Sequence, residues 1–357
     1  MLALVMAGGS GTRFWPKSRE RHPKQLLQII GTGTMLQNSV ERLQGLIPPE
    51  KVFIVCKQVQ YQEVIIQVPQ IPQANVIVEP RGKSTGPCIG LAALFMQERF
   101  GDEVMTVLPS DHLISPAANF QETLSRAAKF AASADILITL GIKPTFPATG
   151  YGYIQVSDEY IQVGDDQIQR VKTFAEKPNL ETAKRFLESG DFWWNSGMFI
   201  WKISTILDQF DEHLADLGDG LKEIRRHLDS PRRNEVIDRV YQQIRSISID
   251  YGVMEHAKNV AVLPANFEWN DLGSWEAVYD LMPKDEQGNA SCGGDHVYVD
   301  STDNLIDVRG KAVAVLGLNG IFLVETDDAI LVCAKSHAQE VKEVVERLKR
   351  KKRYDLI

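Results

Sequence analysis

Leu2-Ala3-Leu4-Val5-Met6-Ala7-Gly8-Gly9-Ser10-Gly11-Thr12-Arg13 opens the chain, and Pro23-Lys24-Gln25 follows it. A short apolar run, broken by three glycines and followed by an amphipathic pattern, reads as strand, loop and helix. Glycine has no Cβ, so the loop backbone can approach a ligand closely. Successive N–H groups in such a loop can cradle an anion, and Arg13 and Lys24 add fixed positive charge beside it. Glycines that only relieve strain in a tight turn would look the same. The two cations, which a plain turn does not need, favour a polyphosphate site. Neither common phosphate fingerprint is present. No Lys-Ser or Lys-Thr follows the glycines as Walker A requires, and Gly9-Ser10-Gly11 is followed by Thr12-Arg13-Phe14 rather than by the third glycine of a dinucleotide site.

The alternation continues along the chain. Apolar runs at residues 52–56, 76–79, 104–108 and 136–141 read as buried strands, with helical periodicity at 34–46, 86–100 and 119–133. This predicts an α/β fold, a parallel sheet with helices on both faces, whose ligands gather at the carboxyl ends of strands. The glycine loop and the Asp111 loop both follow strands. Residues 151–156 and 169–174 read as strands, 179–189 as a helix capped by Asn179, and 211–244 as a charged helical stretch with a solvated face. Residues 283–295 are polar and lack apolar periodicity, so they read as a linker. Five short strands follow at 297–299, 305–308, 312–316, 320–324 and 329–333. An amphipathic helix at 337–353 places Val341, Val344, Val345 and Leu348 on one face. Its basic end, Lys349 to Arg353, reads as favourable charge at a helix C-terminus. Two domains are expected, 1–282 and 283–357.

Of the 357 residues 44% are hydrophobic and 24% charged, which allows a sizeable core and argues against global disorder. The net charge of −8 and pI near 5.5 argue against nucleic acid or an anionic membrane as the main partner. No stretch approaches the length of a membrane span, and the first residues lack the basic region and length of a signal peptide. Cys56, Cys88, Cys292 and Cys333 are too far apart for a Cys-x-x-Cys motif and too sparse for an oxidising compartment, so a cytoplasmic location is expected.

Val107-Leu108-Pro109-Ser110-Asp111-His112 ends a strand with a carboxylate suited to Mg2+, a hard cation that shares oxygen ligands with phosphates. A turn or cap aspartate fits the same pattern. Trp269-Asn270-Asp271-Leu272-Gly273-Ser274-Trp275 sets a second acid between two tryptophans, which suggests a half-buried carboxylate that is either paired or metal-bound. Thr149-Gly150-Tyr151-Gly152-Tyr153-Ile154, Phe174-Ala175-Glu176-Lys177-Pro178 and Trp194-Asn195-Ser196-Gly197-Met198-Phe199 combine small residues, aromatics and groups that bind sugar hydroxyls. Lys177, beside Glu176, suits a sugar phosphate. Each segment alone also fits a hairpin turn or a core strand, and Ser248-Ile249-Asp250-Tyr251 is equally open.

Taken together and in this order, these segments resemble the sugar-1-phosphate nucleotidyltransferases, and within them the mannose-1-phosphate guanylyltransferases. The resemblance spans nearly all of residues 1–275 and implies an α/β fold, a Rossmann-like mixed sheet with helices on both faces, and the short β unit and tail resemble that family's C-terminal left-handed β-helix region. No counterpart of the phosphomannose isomerase domain of longer members follows, so a single activity is expected. The resemblance implies conversion of GTP and α-D-mannose 1-phosphate to GDP-mannose and pyrophosphate, with Mg2+ as cofactor. It assigns Arg13 and Lys24 to the triphosphate and leaving pyrophosphate, and Asp111 and Asp271 to the metal. Ala7, Gly8, Gly9, Gly11, Thr12, Glu79, Ser84 and Thr85 would bind the nucleotide. Gly150, Tyr151, Glu176, Lys177, Asn195, Gly197 and Asp250 would bind the sugar phosphate. His112 is read as structural, because a phosphate oxygen is already a nucleophile. A homodimer or higher homo-oligomer is expected, with no nucleic-acid or membrane partner. The family's usual segment after Glu-Pro ends Arg-Asn-Thr-Ala-Pro; here Lys83 and Ser84 stand at the Arg-Asn places, near base and ribose. Ser110 and Gly252 stand where alanine is common. Two alternatives remain, the same chemistry with another NTP or hexose 1-phosphate and a non-catalytic nucleotide-sugar sensor. Retention of Arg13, Lys24, Asp111 and Asp271 speaks against the sensor.

Overall fold

Along the chain of the computed structural model, which describes every residue except Ser10 and Asp165, run β1 (Leu2–Met6), β2 (Val52–Lys57), β3 (Val76–Glu79), β4 (Val104–Pro109), the short β5 (Leu113–Ser115), β6 (Leu137–Ile142), β7 (Tyr153–Val163), β8 (Asp166–Ala175), β9 (Phe192–Lys202) and β10 (Val260–Pro264). All but β5 join one nine-stranded sheet in the order β3-β2-β1-β4-β9-β6-β10-β8-β7. β1 pairs in parallel with β2 and β4, and β6 with β10. β9 runs antiparallel to both β4 and β6, so the sheet is mixed. The apolar runs that foretold β1 to β4 are buried almost throughout, as strands covered on two faces must be.

Among the described residues the helices that accompany these strands are α1 (Met35–Glu41), α2 (Tyr61–Gln67), α3 (Thr85–Phe100), α4 (Ala117–Ser133), α5 (Leu180–Ser189), α6 (Ile203–His213), α7 (Ala215–Arg225) and α8 (Arg233–Gln243). Ile89, Leu91 and Met96 of α3 share one core with Leu2, Leu4, Phe53 and Phe210. Asn179 caps α5 as its sequence suggested, accepting from the Thr182 N–H at 2.9 Å. The stretch 211–244 is helical as expected, in three pieces: the end of α6, then α7, then α8 beyond Ser230-Pro231. Gly218 lets α7 fold back closely on α6, because a Cβ there would lie 2.3 Å from Asp211 Oδ1. One expectation is corrected: the segment after the glycine loop is not a regular helix. It makes single 3-10 turns at Thr12–Phe14 and Lys24–Leu26, since Pro16 and Pro23 lack N–H donors and restrict the residues before them.

By its contacts the chain divides into two units: Met1–Gly8, Ser39–Ser110 and Ile114–Trp269 in one, Gly9–Asn38, Asp111–Leu113 and Asn270–Ile357 in the other. After β11 (Glu268–Asn270), the second unit contains α9 (Trp275–Leu281), β12 (Ala290–Cys292), β13 (His296–Val299), β14 (Leu305–Asp307), β15 (Val313–Leu316), β16 (Ile321–Glu325), β17 (Ile330–Ala334) and α10 (Val341–Arg350). β12 lies in the stretch expected to be linker; three residues flanked by polar turns leave too short a pattern to read. Ala290 stands opposite Leu305, and Leu305 opposite Phe322, all in parallel, so the chain coils back on itself as a β-helix does. Phe14 and Trp15 are buried in this unit's core with Trp275, Phe322, Val341 and Val345. The Trp15 indole donates to the Leu356 carbonyl at 2.9 Å, and the Trp275 indole to the Trp15 carbonyl at 3.2 Å. These anchors fix the chain just after Arg13.

Candidate active site

Within the second unit, Arg13, Lys24, Asp111 and Asp271 line one pocket of about 290 Å³. Lys24 is buried. Its ammonium donates to Asp111 Oδ2 at 2.9 Å and to the Asp271 backbone oxygen at 2.5 Å, and lies over the Phe14 ring. It therefore holds the two acid-bearing loops together. Burial works against the Asp111 charge, but Lys24, His112 and its own backbone N–H outweigh it and keep the carboxyl below its usual range. The Asp271 carboxylate accepts from the Gly273 N–H at 3.2 Å. Leu272, between them, has a φ of 46°, a strained setting for a branched residue that turns the segment. Arg13 is exposed, beside Thr12.

The glycines are required here. Gly11 has a φ of 57°, and a Cβ on it would lie 2.6 Å from Lys24 Cβ. The Gln25 carboxamide clamps the Gly9 carbonyl at 2.9 Å, which explains the Pro23-Lys24-Gln25 segment. Ser10, quoted with this loop, lies outside the described residues. No group of three or more His, Cys, Asp or Glu side chains is gathered for a metal among the described residues. Two carboxylates on a pocket lined by cations nonetheless suit a hard divalent ion that takes its other oxygens from phosphates and water.

In the first unit, Glu79 ends β3 and is buried. Its Oε2 lies 3.6 Å from where a Gly8 Cβ would stand, so Gly8 keeps the space before it open. The Tyr241 hydroxyl donates to the Pro87 carbonyl at 3.0 Å and to Glu79 Oε1 at 3.2 Å, one proton serving two acceptors. Burial pushes the Glu79 carboxyl up to about 7, against the pull of Tyr241 and Lys57. Ala7 does not offer its N–H to a ligand, because that group donates to the Val55 carbonyl at 2.8 Å. Ser84 starts α3 with φ 69° and ψ −172°, a region almost confined to glycine. Lys83 binds the Ile244 carbonyl, and the Thr85 hydroxyl accepts from the Ile249 N–H. Gly86 N–H donates to the Ile247 carbonyl, and Ile247 N–H to that of Lys83. Residues 83–86 are thus bound to the segment that carries Asp250.

A second cluster in this unit brings Glu176, Lys177, Asn195, Gly197 and Asp250 together. The Asn195 amide donates to Asp250 Oδ1 at 2.8 Å, while its oxygen accepts from the Thr139 hydroxyl and the Gly197 N–H. Asp250 begins a π-helical turn. Burial and the neighbouring Glu176 push its carboxyl up to about 6. Lys177 sits in the left-handed region with φ 48° and binds Glu176 Oε1 at 2.5 Å. Burial lowers its ammonium, but Glu176, Tyr251 and Asp250 outweigh this and raise it. Tyr151 packs with Phe146, Trp194 and Trp269. Gly150 has nothing within 4 Å of a Cβ placed on it. Gly152 does: its Cβ would fall 2.4 Å from Glu176 Oε2 and 3.3 Å from Asn195 Cβ. Gly152, Tyr241, Thr139 and Lys342, which lines the Arg13 pocket, were not singled out from the sequence. Of these, only Gly152 carried a signal, as the small residue between two aromatics.

The nucleotidyl transferase family pattern matches residues 2–288, and that of the MannoseP isomerase/GMP-like beta-helix domain matches 294–348. The chain is 34% identical to a mannose-1-phosphate guanylyltransferase of Escherichia coli, over 98% of this chain and 75% of that protein. It is 35% identical to the alginate biosynthesis protein AlgA of Pseudomonas aeruginosa, over 98% and 72%. A crystal structure described as a mannose-1-phosphate geranyltransferase of Thermus thermophilus aligns with a TM-score of 0.86 at 34% identity, covering 98% of this chain and 99% of that one. Members of the family generally use a divalent metal. No described helix is long and apolar enough to cross a membrane. With these matches running the length of both the sheet and the coil, the chain belongs to the nucleotidyl transferase family, as an enzyme similar to the mannose-1-phosphate guanylyltransferases.

Proposed function

We propose that the protein transfers a guanylyl group from GTP to α-D-mannose 1-phosphate, giving GDP-mannose and pyrophosphate. The observation that carries this reading is the single pocket lined by Arg13, Lys24, Asp111 and Asp271. Cations and two carboxylates gathered on one small cavity suit a polyphosphate with a hard divalent ion. The mannose-1-phosphate guanylyltransferase of Escherichia coli that the chain resembles supplies the sugar and the base.

An oxygen of the sugar phosphate attacks the α-phosphorus in line. The bond to the bridging oxygen breaks, and pyrophosphate leaves with the electron pair. Catalysis is positioning and charge neutralisation, with no proton to abstract from the nucleophile. Arg13 holds the leaving phosphates, and Lys24 fixes the Asp111 and Asp271 loops. Asp111 and Asp271 hold Mg2+, which when bound neutralises phosphate charge. Gly8 and Gly9 admit the nucleotide, and Glu79 with the Pro87 carbonyl meets the donor edge of guanine. Lys177 binds the sugar phosphate, while Glu176, Asn195 and Asp250 bind its hydroxyls. The four cysteines are free, in keeping with the cytoplasmic location assigned here.

Pyrophosphate release tests the reading when GTP, mannose 1-phosphate and Mg2+ are omitted in turn. A requirement for all three supports it. Release from GTP alone contradicts it.

A further inference from the structure

We infer that Lys342, the second residue of the C-terminal helix α10, is a phosphate-binding residue that grips the leaving pyrophosphate opposite Arg13. Lys342 lines the same pocket as Arg13, Lys24, Asp111 and Asp271, although it stands some 230 residues further along the chain than Asp111. Its place is fixed. Val341 and Val345, on either side of it along the helix, are buried with Phe14 and Trp15, the residues that follow Arg13. The core that positions the helix therefore also sets the distance between the two cations.

Lys342 and Arg13 differ from Lys24 in what they touch. Lys24 is committed to Asp111 and the Asp271 carbonyl. Neither Arg13 nor Lys342 has a hydrogen-bond or ion-pair partner among the described residues. A cation in the first turn of a helix is opposed by the helix dipole, and no ion pair offsets that here. Three cations against two carboxylates leave the pocket net positive, and a divalent ion on the carboxylates would add to this. Such a balance suits an anion with several charges, built up on the bridging oxygen as the α-phosphorus bond breaks. The inference rests on the proposed transfer for the identity of the anion, and not for the existence of the site.

Titration calorimetry of the full chain with pyrophosphate and Mg2+ tests the site without turnover. Lys342→Met is expected to weaken pyrophosphate binding about tenfold, the loss of one charge-assisted hydrogen bond. Lys342→Arg should recover most of it. Lys349→Met, on the same helix but outside the pocket, should bind as the parent does. In the reverse reaction Lys342→Met should raise KM for pyrophosphate by a similar factor and leave KM for mannose 1-phosphate in the forward direction within twofold. Unchanged pyrophosphate affinity in Lys342→Met, with the thermal midpoint intact, overturns the inference. So does equal weakening in Lys349→Met, which marks a general charge effect. Pyrophosphate binding that depends on Lys342 in a chain that makes no nucleotide sugar would uphold the site and refute the proposed function.

Discussion

Glu79→Gln should make the protein more stable, and increasingly so as pH rises. The carboxyl is buried and held up to about 7, from an ordinary 4.5. The folded state therefore keeps the proton to higher pH than the unfolded state does. Stability is unaffected by this group below about pH 4.5 and falls as pH rises through the window from 4.5 to 7. At about 1.4 kcal/mol per pH unit the loss is about 1.4 kcal/mol at pH 5.5 and about 3 kcal/mol at pH 8. Glutamine has no proton to lose, so the gain of variant over parent should grow by about 2 kcal/mol between those pH values. Denaturant unfolding of both proteins at each pH measures it. Asp250, held up to about 6, titrates in both proteins and cancels from the difference. A gain that is flat with pH, or that grows as pH falls, would refute the reasoning. Function should move the other way. The ionised carboxylate accepts from the guanine N1–H and amino group, so GDP-mannose should bind about tenfold more tightly at pH 8 than at pH 6, and Glu79→Gln should flatten that slope.

Asp111→Asn and Asp271→Asn should each cut turnover by roughly a hundredfold at saturating Mg2+, about 3 kcal/mol of charge stabilisation; near-normal turnover in either contradicts the two-acid site. Asp111→Asn should also cost about 1–3 kcal/mol in denaturant unfolding, because it strips the buried Lys24 ammonium of its carboxylate. Lys177→Ala should raise KM for mannose 1-phosphate and leave that for GTP unchanged; the reverse pattern would exchange the two phosphate sites. Gly152→Ala should raise the same sugar KM and lower the thermal midpoint, since its Cβ displaces Glu176, and normal kinetics would show that Glu176 does not bind the sugar. Ser84→Gly should stabilise the fold by about 1 kcal/mol by relieving its backbone; a loss of stability in denaturant unfolding would show the conformation to be unstrained.

The sheet was legible where burial leaves a local trace. β1 and β3 have the bounds expected from their apolar runs, and β2 and β4 extend theirs by one residue. Asn179 was legible as a cap because capping is a short-range hydrogen bond. The breaks in residues 211–244 were hidden by uniform charge, and the turns after the glycine loop by the pull of the strand–loop–helix pattern over Pro16 and Pro23. At the candidate site, chemical type could be read but company could not. Nothing near Tyr241 in sequence points to Glu79, from which it is separated by 162 positions. The amphipathic reading of the tail looked to its valines and its basic end, and passed over Lys342 between them. Tyr151 and Ala7 lie in signature segments and make contacts the sequence does not foretell, with an aromatic cluster and with the β2 ladder.

The most direct test is pyrophosphate release measured over a matrix of the four NTPs and a set of hexose 1-phosphates. GTP with mannose 1-phosphate should give the highest kcat/KM, with ATP at least about tenfold lower because adenine leaves the Glu79 acceptors unpaired. Equal rates with GTP and ATP, a preference for another sugar, or no release with any pair would contradict the account.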